Sequence, residues 1–119
     1  MAAIAEKANE LGRILGQTDE YQALKRAHEQ VNDSPELKDK MERLDALARN
    51  METGANRGQE PSEQQVEEYE KLLGEIQGSP VYQAVVAAQS NFDKLMLKVN
   101  KDIMEGIRKG AESRIITLG

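Results

Sequence analysis

The sequence predicts an all-α protein: an antiparallel helical bundle of about five helices with one long C-terminal helix, built to self-associate. Three observations carry this expectation. Ala, Glu, Lys, Leu and Arg make up 55 of 119 residues, close to the roughly 50% share that marks long helices and coiled coils. Thirteen Ala against one Phe, three Tyr and no Trp disfavour a β-sandwich, whose strands and core draw on β-branched and aromatic side chains. Finally, Leu, Ile, Val and Phe number only 25, or about a fifth of the chain, near the level below which a chain struggles to fold alone.

Cap signals and spacing place the helices within a single domain. In the first, at about residues 2–15, Ile4, Ala8, Leu11 and Leu15 recur at helical intervals, and Gly16 is positioned as a left-handed stop. Thr18 caps a second, at 19–32, where Asp19 and Glu20 suit the positive end of the dipole. Tyr21, Leu24, His28 and Val31 share one of its faces, which makes His28 an interfacial residue. Ser34-Pro35 opens the third helix, at 35–53, with Leu37, Met41, Leu44, Ala48 and Met51 on a stripe. The polar stretch from Gly54 to Pro61 reads as a hairpin tip. Neither flank holds enough apolar residues to be a separate domain. Ser62 and Gln65 form a capping box for the fourth helix, at 63–77, whose face is Val66, Tyr69, Leu73 and Ile76 and which Gly78 ends.

Ser79-Pro80 starts the fifth helix, expected at 80–109 and so about 45 Å long, more than the diameter of a small domain. Phe92, Met96, Val99, Ile103 and Ile107 continue one apolar face, with Leu97 and Met104 on a second. Two apolar faces call for two sets of neighbours, so these seven residues are the expected oligomer or partner interface. Gly106 and Gly110 weaken the end of this helix, and Ile115-Ile116-Thr117-Leu118 is expected as a mobile tail. The alternative is that the four shorter helices cover both faces. A short internal echo runs at an offset of 61: Thr18-x-x-Tyr21-Gln22-Ala23-Leu24 parallels Ser79-x-x-Tyr82-Gln83-Ala84-Val85, and Ala27 and Val31 align with Ala88 and Phe92.

The chemistry is mostly one of exclusion. Without cysteine there is no disulfide, thiolate nucleophile or Cys-ligated metal. The single His, His28, rules out paired Glu-x-x-His and His-Glu-x-x-His metal motifs. No nucleophile elbow or phosphate-binding Gly-rich loop occurs, so no catalytic, cofactor-binding or metal residue is assigned. Glu60, Glu63, Glu67, Glu68, Glu70 and Glu75 read as a solvated face. A net charge of −5 makes nucleic acid an unfavoured partner. Lys94, Lys98 and Lys101 nevertheless form a candidate basic patch, and an RNA-associated protein using that end is the alternative reading. No secretory signal or membrane span is apparent, which points to the cytoplasm.

Leu11 and the run Glu20-Tyr21-Gln22-Ala23-Leu24-Lys25-Arg26-Ala27 with Val31-Asn32, followed by Ala88-Gln89-Ser90-Asn91-Phe92 and Val99-Asn100-Lys101-Asp102-Ile103, resemble the YlbF/YmcA family of small bacterial helical proteins. They look closest to its YheA-like branch. The resemblance implies an all-helical, cytoplasmic, self-associating protein without enzymatic activity that contacts other cytoplasmic proteins. It also implies kinship with adaptors of competence, sporulation and biofilm control that act in a complex linked to RNA processing and iron–sulfur clusters. Cluster binding does not carry over to a chain without cysteine.

Overall fold

The structure, a computed structural model, describes the backbone of residues 2–118 and the side chains of residues 2–112. Five helices run in chain order: α1 Ala2–Gly16, α2 Asp19–Asn32, α3 Pro35–Asn56, α4 Glu63–Gln77 and α5 Pro80–Leu118. No strand occurs among the described residues, as the fold class predicted.

The helix starts follow the sequence signals with one exception. Thr18 Oγ1 accepts from the Tyr21 N–H at 3.2 Å. Ser62 and Gln65 exchange side-chain and backbone bonds at 3.1 and 3.0 Å, a complete capping box. Ser34 makes no side-chain cap, so α3 relies on Pro35 at its first turn. The helix ends depart further from expectation. Gly58 is the one described residue with positive φ (77°), so Gly16 is not a left-handed stop. α1 instead ends in a tight turn in which Gln17 N–H and Thr18 N–H donate to Ile14 and Leu15 carbonyls. Gly78 closes α4 in right-handed geometry, its N–H donating to Gly74 O.

α3 continues three residues past its expected end to Asn56. α5 runs 39 residues to Leu118, about 58 Å at 1.5 Å per residue. Gly106 and Gly110 lie inside this helix rather than ending it, and the expected tail at 115–118 is helical backbone; its side chains fall outside the described residues. A glycine costs only about 1 kcal/mol in a helix interior, too little to break a helix flanked by good formers.

Two antiparallel pairs organise the chain. α2 lies on the first half of α5, where Leu24, Ala27 and Ala88 form the buried cluster and Ala23, Val85 and Phe92 pack around it. Tyr21 meets Phe92 edge-on, with ring centroids 5.6 Å apart. α3 lies on α4 through Lys40–Glu75 and Arg43–Glu68 ion pairs at 3.6 and 3.9 Å, and Leu37, Leu72 and Ile76 are its buried residues. Two periodicity assignments are corrected. His28 is exposed, because Ala27 is the α2 residue that faces α5. Val66 is likewise exposed, and Leu72 takes the buried place in α4.

The echo at an offset of 61 extends to hydrogen bonds. α1 and α4 are both 15 residues long, and each is joined to the next helix by a two-residue elbow. Gln22 Nε2 donates to Gly16 O at 2.8 Å; Gln83 Nε2 donates to Gln77 O at 3.0 Å. The Thr18 cap has its counterpart in Ser79, whose hydroxyl accepts a long bond from Tyr82 N–H. The α1–α2 and α4–α5 units are therefore structural equivalents, and α2 and α5 cross so that equivalent alanines, Ala27 and Ala88, are buried together.

Candidate interaction surface

α2 begins at the level of α5 residues 94–98, since Asp19, Glu20 and Ala23 share a shallow groove with Lys94, Leu95 and Lys98. Beyond that point α5 projects without cover. Every residue from Asn100 to Glu112 is exposed. On the α2 side of the pair, α1 projects from the elbow with no buried residue. The molecule consequently has two helical arms.

The arms carry most of the exposed apolar surface. Phe92 belongs to the intramolecular core, and Met96 and Val99 are half-buried at the point where cover runs out. Ile103 and Ile107 on the same stripe are exposed, as are Leu97 (71%) and Met104 (63%) on the second face. The expected interface therefore divides: its start contacts α2, and its remainder is open. The four shorter helices do not cover both faces. Two residues that the α5 periodicity could not reveal join this surface, Ile4 (70% exposed) and Ile14 on α1. Ile14 lies off the Leu11–Leu15 stripe, so spacing gave it no role.

A folded monomer of 13.3 kDa is expected to expose about 6,500 Å², whereas this chain exposes 9413 Å². The radius of gyration is 21.8 Å, against about 14 Å for a compact domain of this length. That surface carries bulky aliphatic side chains that the described residues leave uncovered.

Charge and chemistry elsewhere are unconcentrated. Lys94 and Lys98 border Asp19 and Glu20, so the basic patch is a mixed-charge groove, and Lys101 lies further along the exposed arm. Arg108 and Lys109 both approach Glu105, at 3.9 and 3.6 Å. The α4 carboxylates Glu67, Glu68 and Glu75 line an open groove with Arg43 and Lys71. Among the described residues no three metal-ligating side chains come together, and no helix is long and apolar enough to cross a membrane.

The profile of the family described as "Control of competence regulator ComK, YlbF/YmcA" matches residues 4–108. This range takes in both antiparallel pairs and most of the two arms. Relatives of similar length include a UPF0342 protein of Limosilactobacillus reuteri, 27% identical over 105 residues, covering 88% of this chain and 85% of the relative. A UPF0342 protein of Bacillus licheniformis is 23% identical over 104 residues, covering 87% and 89%. With a profile match over nearly its whole length and relatives that align over most of both chains, the chain belongs to the YlbF/YmcA family.

Proposed function

We propose that this protein is a non-enzymatic, homo-oligomeric helical adaptor that works through protein–protein contacts in the cytoplasm. One observation carries the reading: Ile103, Met104 and Ile107 on α5 and Ile4 and Ile14 on α1 are exposed on arms whose apolar side chains the described residues of the chain leave largely uncovered. Burial stabilises by about 25 cal/mol per Å² of apolar surface, so covering these faces supplies a large driving force for association. Kinship with a family described by control of a competence regulator supports a regulatory rather than a metabolic role. Light scattering at micromolar concentration tests the assembly, with a mass at a multiple of 13.3 kDa expected; a stable monomer overturns it. The mixed charge around Lys94 and Lys98 gives the RNA reading no comparable support.

A further inference from the structure

The internal equivalence identifies what covers the arms. At the offset of 61, α1 corresponds to α4, with Leu11 at the place of Leu72 and Leu15 at the place of Ile76. Leu72 and Ile76 are buried, at 4% and 2% exposure, because α3 lies against α4. Leu11 and Leu15 are only half-buried, and the rest of the α1 stripe is open. A helix in the role of α3 is missing beside α1.

Within this chain the segment that corresponds to α3 is the far half of α5. α3 leaves α2 through the non-helical pair Asp33-Ser34 and so turns back onto α4. α5 has no such break. Two residues fewer shift the correspondence from 61 to 59, and this places Leu37, Leu44 and Ala48 of the α3 stripe at Met96, Ile103 and Ile107. The apolar stripes of the two helices then coincide at these three positions, while Met41 and Met51 of the α3 stripe fall at Asn100 and Gly110. Because α5 runs straight on, its own stripe cannot fold back onto its own α1, and residues 100–112 stay exposed.

We infer that α1 of one copy packs antiparallel against residues 96–107 of α5 in a second copy, reciprocally about a two-fold axis, reproducing between chains the α3–α4 pair found within one. The inference rests on the self-association proposed above and specifies its contacts. Interhelical chemistry is complementary at both positions where the α3–α4 pair has an ion pair. Lys40–Glu75 corresponds to Val99 and Ile14, an ion pair exchanged for an apolar pair. Arg43–Glu68 corresponds to Asp102 and Lys7, an ion pair with its signs reversed. A chance register has no reason to preserve complementarity at both. In the single chain Lys7 is 81% exposed and, among the described residues, pairs with Glu10 alone, at 3.4 Å. Asp102 makes no ion pair among the described residues. Exchange of equivalent elements between copies is a recurrent route to a dimer. The excess surface of roughly 3,000 Å² per chain exceeds the roughly 800 Å² per partner of a standard stable interface.

The natural absence of cysteine makes the test direct. Lys7→Cys and Asp102→Cys chains are prepared separately, mixed through unfolding and refolding, and oxidised. A disulfide-linked pair on a non-reducing gel in the mixture, and little in either variant alone, is expected. Self-assembly at a multiple of 13.3 kDa without that mixed disulfide, or with equal linkage in each variant alone, overturns the register and leaves self-association standing. A monomeric mixture overturns both. In parallel, Lys7→Asp is expected to weaken assembly by about fivefold and Asp102→Lys in the same chain to restore it. Failure of the second substitution to restore assembly counts against the pairing.

Discussion

Small side chains at the α2–α5 crossing decide how close the two helices come. Ala27 and Ala88 are 5% and 7% exposed, and a larger residue at either place must push the helices apart. Ala88→Leu is expected to destabilise the fold by about 1–3 kcal/mol, read as a lower urea midpoint with little change in slope. Leu72→Ala acts in the opposite sense, by leaving a cavity in the α3–α4 pair, and is expected to cost about 2–5 kcal/mol. Among the described residues Gly58 is the one position where backbone freedom is required, at φ 77°. Gly58→Ala should lower thermal stability, while Gly74→Ala, whose added Cβ meets nothing within 4 Å, should raise it by up to about 1 kcal/mol. A single calorimetric comparison of these two variants distinguishes a required glycine from a tolerated one. At this scale the sequence was partly legible. The Thr18 and Ser62 caps depend on local chemistry and appear as expected. The exposure of His28 depends on which of two neighbouring faces of α2 meets α5, and with Ala27 as the alternative, a periodic pattern weighted toward bulky residues picks the wrong one.

Helix boundaries separate local from cooperative effects. Starts are fixed by caps and by Pro35 and Pro80, which act within one turn, and those of α2 to α5 were readable to within a residue. Ends were less so, because a glycine is a weak terminator and propagation adds a hydrogen bond for each residue fixed. α5 therefore passes through Gly106 and Gly110 to Leu118. The same helix shows how the lack of a break sets an element's course. α3 bends away from α2 at Asp33-Ser34 and finds α4; α5 has no equivalent and continues into solvent. Inserting Asp-Ser between Asp93 and Lys94 is expected to let the far half of α5 fold back on its own α1, giving a compact monomer. Small-angle scattering checks this, with a radius of gyration well below 21.8 Å expected for the insertion variant. The equivalence of α1–α2 with α4–α5 was visible in the sequence only as a short echo, since the carbonyls that Gln22 and Gln83 reach belong to the unlike residues Gly16 and Gln77, before the echo begins.

For the whole molecule, the thin supply of large hydrophobes and the long last helix are two views of one property. The chain has enough apolar side chains for two helix pairs, but it spreads the remainder along arms that are largely uncovered among the described residues. The sequence showed that α5 must outrun the core. It could not show that α1 is equally bare, because an amphipathic helix looks the same whether its partner lies in the same chain or another. Val99→Glu and Ile103→Glu place a charge on the face that the account assigns to a second copy, and each is expected to lower the assembled mass while leaving helical circular dichroism of the α2–α5 and α3–α4 pairs largely intact. The most direct test of the central claim is the mass of the unmodified protein in solution, measured by light scattering across micromolar concentrations. A mass of at least twice 13.3 kDa is predicted; a mass of 13.3 kDa throughout that range contradicts the account.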